Sequence, residues 1–171
     1  MVYSRKNGLV VVDNMEYLYD SPLGKLLIVY DNAYILGLYF DKEAREEYVH
    51  NSVIKNCTKQ LDEYFAGTRK VFDIPVNPKG TDFQRAAWQA LATIPYGKTA
   101  SYGDMAKKIG NPKAPRAIGS ANNKNPISII LPCHRVIGAN GKLVGYGGEL
   151  WRKEWLLAHE KKYMEQLLMK K

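Results

Sequence analysis

Within six residues the chain places Pro75, Pro78 and Gly80, a cluster of breakers at which a domain boundary is expected. Before it, Met15–Tyr19, Lys25–Tyr30 and Tyr34–Phe40 are short runs rich in Val, Ile, Leu and Tyr. Ser21-Pro22-Leu23-Gly24 and Asp31-Asn32 part them with turn chemistry, so a meander of strands is expected. Val53, Cys57, Leu61, Tyr64 and Phe65 then recur at helical spacing, with Gly67 where a left-handed residue would end the helix. Cys57 falls on that apolar stripe and reads as a packing residue. Val71–Pro78 reads as a short strand running into a linker. The fold class is therefore α+β, with a small α/β domain over 1–78 and a mainly helical domain over 79–171.

The second domain announces its helices by their ends. Thr81-Asp82-Phe83-Gln84 has the capping-box pattern, followed by an apolar stripe of Phe83, Ala87, Ala90, Leu91 and Ile94 that stops at Pro95-Tyr96-Gly97. Ser101 can cap a second helix carrying Tyr102, Met105, Ala106 and Ile109, which Gly110-Asn111-Pro112 ends. Pro115 suits the first position of a third helix through Arg116, Ala117, Ile118 and Ala121. Two short helices joined by a tight turn make a helix-turn-helix candidate, a pairing also common in helical proteins that never meet DNA.

Charge separates the halves. Residues 1–78 hold 9 Lys and Arg against 11 Asp and Glu, whereas residues 79–171 hold 16 against 6, giving net charges of −2 and +10. A basic domain beside a slightly acidic one suggests that the second faces a polyanion. No run approaches a membrane span, and Leu9–Val12 is too short for a secretory core, so a soluble cytoplasmic protein is expected, nucleoid-associated in a prokaryote. Two cysteines give no disulfide framework, and no clustered Cys/His spacing supports a metal site.

Ile129-Ile130-Leu131-Pro132-Cys133-His134-Arg135-Val136-Ile137-Gly138 carries the chemistry. An apolar run delivers Cys, His and Arg in succession, and a histidine and arginine beside a thiol would lower its pKa and favour the nucleophilic thiolate. On local chemistry alone a core cysteine at a strand end beside a solvated histidine is the more common arrangement. The segment from Pro132 to Gly138, however, resembles the active-site motif of the O6-alkylguanine-DNA alkyltransferases. So do Ile94-Pro95-Tyr96-Gly97-Lys98-Thr99, Ser101-Tyr102, Pro115-Arg116-Ala117-Ile118-Gly119, Asn125-Pro126, Gly145-Tyr146-Gly147-Gly148 and Lys153-Glu154-Trp155-Leu156-Leu157-Ala158-His159-Glu160, in the family's order over residues 81–160.

The resemblance implies a ribonuclease-H-like first domain and a winged helix-turn-helix-like second one. It implies DNA repair by stoichiometric transfer of an alkyl group from O6 of guanine, and by extension O4 of thymine, to Cys133. His134 would take the thiol proton through a water and Glu160 would orient that histidine. Asn125 would shape the turn that places the cysteine, and Tyr102 would meet the target base as proton or hydrogen-bond donor. Arg116 would fill the space left by a flipped nucleotide, since the alkyl carbon cannot reach a thiolate from inside the stack. Ala117, Gly119, Ser120, Ala121, Lys124 and Arg135 would join it at the minor groove. The carbonyls of Cys133 and Val136, Tyr146 and the Gly147 amide would read guanine. Gly147 stands where serine is expected, and Ser128 where some members have proline. The implied partner is double-stranded DNA containing O6-alkylguanine, met by a monomer with no cofactor, no metal and no membrane. Competing readings are a lesion binder without transfer, a helix-turn-helix regulator with a sensor cysteine, and a cysteine hydrolase with turnover.

Overall fold

The computed structural model describes residues 3–6, 9–12, 14–44 and 50–169, and the chain divides into two compact units, Met1–Pro78 and Lys79–Lys171. In the first unit β1 (Tyr3–Lys6) and β2 (Leu9–Val12) form an antiparallel pair. β3 (Met15–Ser21), β4 (Gly24–Tyr30) and β5 (Ile35–Phe40) form a separate antiparallel meander in the order β3-β4-β5. Its first turn is tied by the Ser21 hydroxyl, which donates to the Gly24 carbonyl at 2.6 Å. In the second, the Asp31 carboxylate accepts the amides of Ala33 and Tyr34.

α1 (Ser52–Phe65) begins at Asn51, whose side chain accepts the Ile54 amide, and Gly67 follows its end at φ 77°. Ile54, Cys57, Leu61 and Tyr64 are buried, so the apolar stripe is the packed face. Burial pushes the Cys57 thiol up to about 12, and it stays a thiol that packs. The strand expected over 71–78 does not form. Only Val76 bridges Ile35, because Pro75 and Pro78 have no N–H to extend a ladder. The segment is held instead by Gln60, which exchanges hydrogen bonds with the backbone of Asp73.

The second unit is mainly helical. α2 (Asp82–Leu91) starts with both halves of its capping box made, between Thr81 and Gln84. β6 (Ala100–Ser101) leads into α3 (Tyr102–Lys108), capped reciprocally by Ser101 and Asp104. α4 (Pro115–Asn123) follows the turn after Gly110, and Pro115 occupies its first turn. A single 3₁₀ turn (Cys133–Arg135), β7 (Val136–Ile137) and α5 (Leu150–Met169) complete the unit, with β7 parallel to β6. Trp88 of α2 donates its indole N–H to the Ala121 carbonyl at 2.8 Å, locking α2 to the end of α4. No described helix is long and apolar enough to cross a membrane.

Candidate active site

Cys133 is delivered by two tight reversals. Ile129 is a fully buried β-branched residue at φ 71°, and across it the Ile130 amide donates to the Ser128 carbonyl at 2.8 Å, a γ-turn that L side chains rarely adopt. Three residues on, Pro132 (φ −81°, ψ 65°) is spanned by the Cys133 amide donating to Leu131 at 2.8 Å. Asn125 holds both reversals together. Its amide donates to the Leu131 carbonyl at 2.8 Å, and its carbonyl oxygen accepts the Ile127 amide at 3.0 Å.

The environment of Cys133 differs from that expected. Burial pushes the Cys133 thiol above its ordinary value, opposed by a hydrogen bond from Asn125, the Lys153 ammonium and the backbone amides of Cys133 and His134. The side chains next to it in sequence do not lower it, because both turn to Glu160. His134 Nε2 lies 2.7 Å from Glu160 Oε1, and both side chains are fully buried. Arg135 donates from Nε at 3.0 Å and Nη2 at 3.0 Å to the two carboxylate oxygens, and from Nη1 to the Ile94 carbonyl at 2.6 Å. The Gly97 amide also donates to Glu160 at 3.0 Å. Burial opposes a charge on Glu160, yet the hydrogen bonds and positive charge of His134 and Arg135 win and hold it well below the usual carboxylate range. Burial holds His134 below its ordinary value against the pull of Glu160. His134 Nδ1 finds no hydrogen-bond partner among the described residues.

Two expected DNA contacts are corrected. Arg135 is 6% exposed and turns its guanidinium inward to Glu160 and Ile94 instead of to the surface where a phosphate would lie. Ala121 is buried against α2, with its carbonyl taken by Trp88. The others lie on one surface. Arg116, Ala117, Ser120 and Lys124 are exposed on or beside α4. Arg116, Gly119, Ser120 and Lys124 line, with Tyr102, Asn123, Val144 and Gly145, a cleft of about 670 Å³. Tyr102 donates its hydroxyl to the Val144 carbonyl at 2.8 Å, and burial, then the Cys133 charge, pushes that hydroxyl up. Tyr146 is half-buried, and its hydroxyl is raised by the same two causes in the same order. The carbonyls expected to read guanine already hold one donor each, the Val136 amide on Cys133 and Lys153 on Val136, which leaves each a second lone pair. Gly147 is accounted for by contact, since a Cβ there would lie 3.0 Å from the Asn123 carbonyl oxygen.

Lys153 carries a part that the sequence reading missed. It is fully buried, donates to the carbonyls of Val136 at 2.6 Å and Val144 at 3.1 Å, and acts on the Cys133 charge. The available signal was spacing: Lys153, Leu156 and Glu160 fall at i, i+3 and i+7 of α5, so two charged residues share its buried stripe. Among the described residues no group of His, Cys, Asp and Glu could hold a metal ion.

Comparison with known proteins matches residues 14–78 to the family description "6-O-methylguanine DNA methyltransferase, ribonuclease-like domain" and residues 82–162 to its "DNA binding domain". A methylated-DNA–protein-cysteine methyltransferase of Methanosarcina acetivorans is 49% identical over 149 residues, covering 84% of this chain and 96% of that protein. The crystal structure of Mycobacterium tuberculosis O6-methylguanine methyltransferase superposes with a TM-score of 0.80 at 44% identity, over 88% of this chain and 94% of that one. Mycobacterium tuberculosis OGT in complex with DNA superposes at 0.79 with 46% identity, over 85% of this chain and 92% of that one.

Proposed function

Since the chain belongs to the 6-O-methylguanine DNA methyltransferase family, we propose that it repairs DNA by moving an alkyl group from O6 of guanine to the sulfur of Cys133. The observation that carries this is a buried thiol next in sequence to a histidine whose Nε2 is bound to Glu160 while Nδ1 finds no partner among the described residues. Burial makes the thiol the resting form, so transfer needs a base at the moment of reaction. Nδ1 of His134 takes the proton, through a water, as sulfur attacks. The new S–C bond forms as C–O6 breaks, the electron pair stays on guanine, and Tyr102 supplies the proton that restores the ordinary base. Asn125 and Lys153 favour the sulfur as negative charge develops on it.

The product is a thioether, a poor leaving group. Cys57, the other cysteine, is buried in the first unit with its thiol held protonated, so nothing regenerates Cys133 and each chain acts once. A monomer binds the damaged duplex through α4, with Arg116 entering the stack in place of the flipped nucleotide and Gly119 and Ser120 permitting close approach in the minor groove. Guanine is read by the second lone pairs of Cys133 and Val136, by Tyr146 and by the Gly147 amide. The test is a short duplex with one O6-methylguanine labelled on its methyl, mixed with wild type and with Cys133→Ala. One label per wild-type chain on the peptide containing Cys133, and none on the variant, is expected. Tight lesion binding without transfer would instead mark a damage-flagging protein, and released methanol with turnover a hydrolase.

A further inference from the structure

We propose that Arg135 is a positioning residue for transfer: by holding Glu160 as an anion against Gly97, it obliges His134 to carry its ring proton on Nε2 and to offer Nδ1 as the base. This rests on the reading of Cys133 as alkyl acceptor. An ionised carboxylate has lone pairs and no proton to give, so the hydrogen between Glu160 and His134 must ride on Nε2. Glu160 stays ionised because donors surround it: the forked guanidinium of Arg135 on both oxygens, the Gly97 amide on Oε2, and His134 itself. Arg135 cannot drift from this post, since Nη1 is fastened to the Ile94 carbonyl at 2.6 Å and the Tyr96 ring lies 5.7 Å from the guanidinium.

The charged groups bearing on His134 come from two elements. Glu160 and Lys153 reach it from α5, and Arg135 shares its 3₁₀ turn. Tyr96, ahead of β6, senses the Glu160 and Arg135 charges together with Tyr163 of α5, and Cys133 interacts with Lys153. Glu160 draws a proton onto His134, while Arg135 and Lys153 repel one. Without Arg135 two outcomes are open to the pair. Glu160 keeps its charge and His134 becomes an imidazolium at higher pH, or Glu160 takes a proton, donates it to Nε2 and leaves the ring hydrogen on Nδ1. Both abolish the base.

The experiment uses the full chain as wild type, Arg135→Met and Arg135→Lys. Methyl transfer from the O6-methylguanine duplex is followed against protein concentration and pH, separating the DNA dissociation constant from the first-order transfer step, and ring-nitrogen chemical shifts report the His134 tautomer. Arg135→Met is expected to keep the dissociation constant within about twofold while slowing transfer by about tenfold or more at neutral pH. Its acid limb should move to higher pH, and Arg135→Lys should restore most of the rate. Weakened DNA binding with unchanged transfer of bound lesion would make Arg135 a phosphate contact and overturn the proposal. Slower transfer with the pH profile and ring shifts unmoved would reduce it to packing, and overturn it too. Should Arg135→Met not fold, the wild-type ring decides: hydrogen on Nε2 supports the proposal and hydrogen on Nδ1 overturns it. A wild type that places no methyl on Cys133 refutes the function above, while the ring tautomer still reports on Arg135.

Discussion

Lys153 brings an ammonium into the interior and satisfies it with the carbonyls of Val136 and Val144, close enough to Cys133 for the two charges to interact. Removing that charge should raise the thiol further. In Lys153→Met on a Cys57→Ala background, haloacetamide labelling of Cys133 is expected to need a higher pH than in Cys57→Ala alone; an unshifted profile would show that Lys153 only ties carbonyls together. At this scale the sequence was legible in part. Cys133, His134, Asn125 and Glu160 were named from it, and the structure brings them together. Arg135 and Ala121 were misplaced because sequence neighbours share an address but not a direction. The 3₁₀ turn aims Arg135 inward with His134, both onto Glu160, and helix α4 turns Ala121 inward while Ser120 stays exposed.

At the scale of elements, α2 works as the support of α4. The Trp88–Ala121 hydrogen bond joins them, so Trp88→Phe should cost about 1 kcal/mol, read as the shift in urea midpoint, through the buried carbonyl it leaves with one donor fewer. Thr81→Ala should cost about 1 kcal/mol by the same measurement, since the hydroxyl that accepts the Gln84 amide is lost. If Thr81→Ala were neutral, the cap would be replaced by water at no loss. The capping box at Thr81–Gln84 could be read from sequence because it is local: four consecutive residues contain every atom involved. At Ser101 only the cap itself was legible, Asp104 standing where Glu or Gln is usual. The failed strand over 71–78 is the opposite case. Its Val and Ile content suits a sheet, but pairing depends on a partner distant in sequence, and two prolines leave room for one bridge.

For the whole molecule, buried titratable groups set a window of stability in pH. His134 is held below its ordinary value, so the unfolded chain takes its proton first, and stability falls as pH drops through about 6.5. Glu160, also depressed, gives stability that is present above the ordinary 4.5 and lost as pH falls further. Cys133 and Cys57 are raised, so their share is complete below the ordinary 9.0 and lost as pH climbs beyond it. A thermal-melt series should therefore plateau from about pH 7 to 9, and a melting temperature still rising below pH 6 would contradict the histidine assignment. Alkylation acts on the same core: a methyl added at nearly fully buried Cys133 should lower stability by about 1–3 kcal/mol, seen as a lower melting temperature after transfer. The burial of Cys57 has a consequence of another kind. With that sulfur silent and the Cys133 thioether permanent, a population of these molecules keeps a cumulative tally, and the fraction bearing added mass is a dosimeter of the lesions its DNA has met.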